Sequence, residues 1–369
     1  MPKVKETVLE IDLGALVHNY RFLRSRLDSD TLFLAVVKAF AYGSDAAKIA
    51  RKLEQLGVDY FAVAYVKEGV ALREAGITKP ILVLHPQTVN FDTLIDRCLE
   101  PSIYSPKILR EFLEAAHRQK QKEYPIHIKF NTGLNRLGFG ENEVAFIMGQ
   151  IRNRNEIKVA SIFSHLAASE DLNETAFTKK QIARFEAISK SFDAAMGYPT
   201  FKHILNTSGI INFPEAQFDM VRSGIGLYGF GNEVGIDSNL RPIASLKTII
   251  SQIHRIAPGE SVGYNRAFAS PHQMVTATLP LGHADGIGRQ YGNGKAYVNV
   301  NGEHAPIIGN VCMDMIMIDI TGITCQEGDE VVVFGKDPNA EAFAAFAGTI
   351  SYELLTGISQ RVKRIFLNA

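Results

Sequence analysis

Cysteine is scarce in this chain of 369 residues: Cys98, Cys312 and Cys325 are its only three, and they lie far apart. They offer neither a disulfide framework nor the paired spacing of a metal knuckle, so we expect no metal and a reducing, cytoplasmic setting. Net charge is lacking as well, with 39 Lys plus Arg against 39 Asp plus Glu. Without a net field, binding to nucleic acid or to an anionic membrane surface is not expected, and a small-molecule substrate is the better reading. No run approaches the roughly 18 apolar residues of a membrane span. The charged start MPKVKETVLEIDL has no apolar leader stretch. Composition is otherwise that of a folded globular chain, 46% apolar and 21% charged, and the length suits two domains.

Between Thr31 and about Tyr228, short apolar runs alternate with amphipathic stretches, the pattern of repeated βα units. Eight runs can be counted: 32–37, 60–65, 81–85, 100–104, 125–130, 159–164, 201–205 and 218–223. Segments such as 46–56, 107–117 and 178–195 carry apolar residues at helical spacing. Eight parallel strands with outer helices predict an α/β fold, an N-terminal (β/α)8 TIM barrel. After about Arg241 the rhythm turns to short alternating segments, with Asn301-Gly302 between KAYVNV and EHAPII as a hairpin signal. A C-terminal, mainly-β domain is therefore expected, with boundaries at 1–238 and 239–369. The early run 7–13 reads as one more strand, available to pair with the β domain.

Barrel sites form where strands end, which singles out the polar residues closing each run. Lys38 closes the first. Burial lowers a lysine pKa and suits it to Schiff-base chemistry, although a strand-end lysine also simply snorkels. After the seventh and eighth runs, Thr207, Ser208, Gly224 and Gly226 suit a phosphate seat; ordinary turn and capping chemistry is the alternative. Lysine and phosphate seat together suit pyridoxal phosphate. Arg136 lies in a glycine-rich loop after the fifth run and His165 follows the sixth, each with a plain structural alternative. Arg222 cannot release its proton, so beside a pyridine nitrogen it would leave that nitrogen unprotonated.

The stretches VVKAFAYG, IKFNTGLNRLGF, SIFSHLA, LNTSGI, VRSGIGLYG, SVGYNRAF, LPLGHADGIGR, GNVCMDMIMID and TISYELLTGISQRVKR occur in this order. In this the chain resembles the bacterial alanine racemases, fold-type III pyridoxal phosphate enzymes with a barrel and a C-terminal β domain. The resemblance implies a cytoplasmic homodimer that interconverts L- and D-alanine and supplies D-alanine for peptidoglycan. It implies that Lys38 holds the cofactor and acts as one catalytic base, and that Tyr264 of the partner subunit is the other. Tyr42, Tyr352, Thr207, and the backbone of Gly224 and Ile225 would bind the phosphate, with Asn206 and Ser208 on the same loop. His165 would lie against the ring, Arg222 would meet its nitrogen, and Arg136 would reach the phenolic oxygen and substrate carboxylate. Met313 and Asp314, again from the partner, would line the substrate site.

Five positions depart from the family pattern. Phe40, Ser44 and Asp45 stand within the usual Lys-Ala-Asn-Ala-Tyr-Gly-His-Gly, and His283 replaces a usual Tyr. Asn131 replaces a usual Asp near Lys129, a position often N-carboxylated in the family, leaving that modification or a bound anion open. Other readings are a broader racemase acting also on serine, because a pocket for one methyl discriminates weakly, and a non-catalytic cofactor-binding barrel. Such carriers generally lack a β domain. A decarboxylase of this fold type would need an acidic partner where Arg222 stands. A racemase domain cut from a ligase fusion also fits the short start.

Overall fold

The computed structural model describes residues 4–231 and 238–368, so the first three residues of the charged start lie outside it. Among the described residues, one compact unit comprises Val17–Ala41 and Ala46–Arg241; the other comprises Met1–Leu16, Tyr42–Asp45 and Pro242–Ala369. Strand β1 (Val8–Asp12) belongs to the second.

The first unit is built on β2 (Leu32–Val36), β3 (Tyr60–Val63), β4 (Ile81–Val83), β5 (Glu100–Ile103), β6 (Tyr124–Lys129), β7 (Ile157–Phe163), β8 (Phe201–His203) and β9 (Met220–Ser223). All pairings are parallel, in the order β8-β7-β6-β5-β4-β3-β2-β9. Asp219 and Arg222 donate backbone N–H to Lys202 and Leu205 carbonyls, bringing β9 back to β8 and nearly closing the barrel. All eight apolar runs become strands. They read as continuous rather than alternating because parallel strands are covered on both faces. Their helices are specified locally. Ser105 caps Pro106–Arg118 by accepting from Ile108 N–H, with proline at the first position where no donor is needed. The helix Thr175–Met196 stops at Gly197, whose φ of 79° costs glycine little.

A barrel interior is ordinarily filled by bulky aliphatic side chains. Here it also contains buried Glu100, Ser102, His127, Ser161, His203 and Arg222, and Ser102, His127 and Ser161 are register partners across β5, β6 and β7. Burying so many polar groups is tolerable only if they bond one another.

The second unit contains β10 (Ala244–Ile249), β11 (Gln252–Ile256), β12 (Ser261–Val262), β13 (Phe268–Ala269), β14 (Met274–Leu279), β15 (Tyr297–Val300), β16 (Glu303–Ile308), β17 (Ile316–Asp319), β18 (Glu330–Phe334) and β19 (Lys363–Leu367). Nine strands form one sheet in the order β11-β14-β17-β16-β15-β18-β10-β1-β19, with β12 and β13 a separate pair. β1 runs antiparallel to β10 and parallel to β19. Asn301 and Gly302, at φ 52° and 92°, turn β15 into β16, so both positions adopt the left-handed backbone that the hairpin requires. No described helix is long and apolar enough to cross a membrane.

Candidate active site

Lys38 follows β2, and the four residues after it, Ala39, Phe40, Ala41 and Tyr42, all take left-handed backbone, with φ of 52°, 56°, 50° and 52°. None is glycine, so each costs about 1–2 kcal/mol, and the turn needs a clamp. Glu68, on the helix Val66–Glu74, supplies one. Its Oε1 accepts from Ala39 N–H at 2.6 Å, and its Oε2 accepts from Ala64 and Tyr65 N–H at 2.7 and 3.1 Å. Burial and then the nearby Arg136 charge lower the Lys38 amine, while Glu68 pulls it back up. A lysine so placed is more readily neutral, the state in which it is a nucleophile or base.

The cations converge. Lys129, the last residue of β6, is lowered to about 8 by burial and by Arg136, Arg222 and Lys38. His165 is lowered well below its ordinary value by burial and the same cations, Arg222 foremost, so its ring is neutral at neutral pH. Arg136 makes no hydrogen bond or ion pair with any described residue, leaving its charge for a ligand. Its loop is shaped by Asn131, whose Oδ1 accepts from Gly133 and Asn135 N–H at 3.1 and 3.0 Å. Gly138 (φ 129°) is backed against this strand end; a Cβ there would stand 2.7 Å from Asn131 N.

Arg222 is buried on β9. Its NH1 donates to His203 Nδ1 at 2.7 Å and His203 O at 3.2 Å. Its NH2 donates to Ser164 O, Ile204 O and His165 Nδ1 at 2.7, 3.1 and 3.1 Å. Burial lowers the guanidinium to about 9, so it remains cationic at neutral pH. Only Nε–H has no acceptor among the described residues.

Beside it, Thr207 Oγ1 lies 3.1 Å from Ser223 Oγ and accepts from Gly226 N–H at 3.3 Å. A Cβ on Gly226 would come within 2.4 Å of Thr207 Cγ2, so only glycine lets these two loops approach. Gly224 (φ −114°, ψ −95°) leads into the turn Ile225–Tyr228. Asn206 does different work. Its Oδ1 caps the helix Thr207–Asn212 through Gly209 N–H and accepts from Ser169 Oγ at 2.7 Å, while Ser208 Oγ donates to Gly231 O.

The remaining sequence-selected residues belong to the other unit. Tyr42 and Tyr352 have ring centroids 5.9 Å apart, and burial, reinforced by Tyr352, pushes the Tyr42 phenol up. Arg364, unremarked in the sequence, donates from Nε and NH2 to Gly43 O at 3.2 and 2.8 Å. Tyr264 (73% exposed) and Met313 (58% exposed) line an open groove of about 420 Å³ with Asp314 and Cys312. His283 and Ala284 donate backbone N–H to the Cys312 and Met313 carbonyls, and Gly282 packs so tightly on Cys312 O that a Cβ would come within 2.3 Å. Arg361 ties Asp285 (2.7 and 3.0 Å) to Asp314 (2.7 Å), so three separated motifs set one loop.

A lysine primed as a nucleophile among cations suits an aldehyde that carries its own phosphate. That is pyridoxal phosphate chemistry, and a barrel combined with a mainly-β domain places the chain in fold type III of the enzymes that use it. The family profile "Alanine racemase, N-terminal domain" matches residues 11–231, and "Alanine racemase, C-terminal domain" matches residues 243–366. Alanine racemase 1 of Clostridium acetobutylicum is 38% identical over 97% of this chain and 94% of that protein. The solved alanine racemase of Clostridium difficile 630 superposes with a TM-score of 0.92 at 32% identity, covering 100% of this chain and 97% of that one. That of Bartonella henselae, with covalently bound pyridoxal phosphate, superposes with a TM-score of 0.88 at 29% identity, over 98% and 99% of the two chains. The chain belongs to the alanine racemase family.

Proposed function

We propose that this chain interconverts L- and D-alanine with pyridoxal 5′-phosphate, supplying D-alanine for peptidoglycan precursors, as a homodimer whose sites draw on both copies. The observation that carries the reading is the set of four cations, Lys38, Lys129, Arg136 and Arg222, acting on one neutral histidine, His165. Such a set needs an anionic occupant, and the cofactor phosphate and substrate carboxylate supply the charge. The chain's division follows the barrel, 1–238, and the β domain, 239–369, with β1 joined to the latter.

The residues fit the cofactor. Thr207 and the backbone of Gly224 and Ile225, together with Tyr42 and Tyr352, would hold its phosphate, and the approach of Gly226 to Thr207 makes the Thr207 side of that seat compact. Asn206 acts by capping the same loop. Arg222 would offer its unpaired Nε–H to the pyridine nitrogen without protonating it, and His165 would lie along the ring. When bound, the cofactor accepts the electron pair left as Cα loses its proton. Inversion needs a base on one face and an acid on the other. Lys38 exchanges the proton on one side; the partner subunit's Tyr264 exchanges it on the opposite side. Arg136 holds the substrate carboxylate, and the partner's Met313 and Asp314 bound the space for the methyl.

Proton NMR of L-alanine in D2O with the protein and added cofactor tests this directly. Loss of the Cα proton signal together with D-alanine on chiral analysis is expected. Bound cofactor without exchange would overturn the racemase reading in favour of a carrier, and exchange of serine in parallel would widen the substrate range.

A further inference from the structure

Five of the six polar residues named inside the barrel form a single file, Ser102 Oγ having no hydrogen-bond partner among the described residues. Arg222 on β9 meets His203 on β8; His203 Nε2 lies 2.9 Å from Ser161 Oγ on β7; Ser161 Oγ lies 2.6 Å from His127 Nδ1 on β6; and His127 Nε2 lies 2.6 Å from Glu100 Oε2 on β5. Burial, and then the Glu100 carboxyl, push the nearby Tyr60 phenol on β3 up. All five members from Glu100 to Arg222 are buried.

The hydrogens along this file have one consistent order. A guanidinium has donors only, so His203 Nδ1 must accept from Arg222 NH1 and carry no proton. His203, held well below its ordinary pKa by burial and Arg222, is neutral, so its proton sits on Nε2 and is donated to Ser161 Oγ. Ser161 Oγ bonds only to these two histidines among the described residues, so its own hydrogen goes to His127 Nδ1. That leaves the His127 proton on Nε2, where it is donated to Glu100. The carboxylate, with no hydrogen to give, terminates the file. Reversing the order would put a proton on His203 Nδ1, 2.7 Å from an Arg222 N–H, and drive the guanidinium out of place.

We propose that Glu100 is a positioning residue for the reaction: from four strands away, through His127, Ser161 and His203, it accepts the last proton of the file and so, opposite the donors-only Arg222, locks the one hydrogen-bond order that holds Arg222. The effect on turnover rests on the reading that Arg222 serves the cofactor; the order itself does not.

The experiment is nitrogen-15 NMR of the histidine side chains in the holoenzyme, with steady-state kinetics on the same samples, for the parent, Glu100→Gln and Glu100→Leu. We expect His127 and His203 of the parent to be neutral with their protons on Nε2. Gln can still accept from His127, so Glu100→Gln should keep both tautomers and most of kcat. Leu cannot, so in Glu100→Leu the His127 proton should leave Nε2 and kcat should fall about tenfold with KM changed less than about twofold. A parent histidine of this pair protonated on Nδ1 overturns the proposal, as does Glu100→Leu with parental tautomers and kcat. Should Glu100→Leu not fold, the parent tautomers still decide. They are also read whether or not alanine turns over, so failure of the racemase reading is distinguishable.

Discussion

Replacing Glu68 with Gln should loosen the turn that presents Lys38. Four consecutive left-handed residues store roughly 4–8 kcal/mol, and Glu68 holds the first of them while gripping Ala64 and Tyr65. Hydrogen bonds to a charged group contribute about 1.5–3 kcal/mol each and neutral ones about 0.5–1.5 kcal/mol. Gln offers one oxygen for three N–H groups and turns an NH2 toward at least one. Ala39 and Tyr65 are exposed, so water replaces part of the loss, and a net cost of about 2 kcal/mol remains, equivalent to about 30-fold in the population of the intact turn. Cofactor titration followed by absorbance should show the dissociation constant rising by that order. A second effect has the opposite sense. Glu68 raises the Lys38 amine, so its neutralisation lets the free amine persist to lower pH, and the pH midpoint of cofactor binding should move down. Glu74→Gln, on the same helix but paired with Arg97 at the surface, should do neither. Binding within about twofold of the parent and an unmoved pH midpoint would refute the clamp.

Lys129 in the cofactor-free protein binds fewer protons folded than unfolded between about 8 and its ordinary 10.5. Parent stability relative to Lys129→Met should therefore rise with pH across that window, by about 3 kcal/mol in all, as urea unfolding at a series of pH values would show; a flat difference counts against the buried cation cluster. Arg222→Glu should protonate the pyridine nitrogen and increase pyridoxamine phosphate formation during turnover, and parental levels would remove Arg222 from that role. Mixing inactive Lys38→Ala with inactive Tyr264→Phe should restore about a quarter of parental activity, because half the dimers are mixed and each carries one intact site. No recovery despite proven subunit exchange would sink the shared site.

The barrel was legible because parallel strands buried on both faces leave unbroken apolar runs, and even the weak runs at 60–65, 100–104 and 201–205 became strands. Lys38 was legible for the same reason: it closes such a run. The turn after it was not. Ala-Phe-Ala-Tyr contains no glycine or asparagine to announce left-handed backbone, and its clamp, Glu68, lies thirty residues on, across another strand. His127 was hidden inside PIHIKF, a run that reads as apolar core, and only the register of β5, β6 and β7 aligns it with Ser102 and Ser161. The grip of Arg361 on Asp314 links positions 47 apart, beyond any local pattern. Asn206 shows the reverse case, since the capping chemistry read in its loop from sequence is what its Oδ1 does, accepting from Gly209 N–H.

The pairing of β1 with β10 and β19 constrains how the chain folds as it leaves the ribosome. Residues 8–12 are made first, yet their neighbours are residues 244–249 and 363–367. The partners in the parallel pair are synthesised about a minute apart at the slow end of ordinary elongation rates. Once residue 223 is made the barrel has all its own strands at hand, whereas Val8, Leu9 and Ile11, fully buried in the finished sheet, wait for β10 until residue 249 and for β19 until residue 367. The nascent chain is thus expected to carry a folded insert between two halves of an open sheet, with an apolar strand waiting upstream of it. Deleting residues 363–367 should leave that strand short of one neighbour permanently, and make aggregation, rather than a weaker barrel, the visible defect.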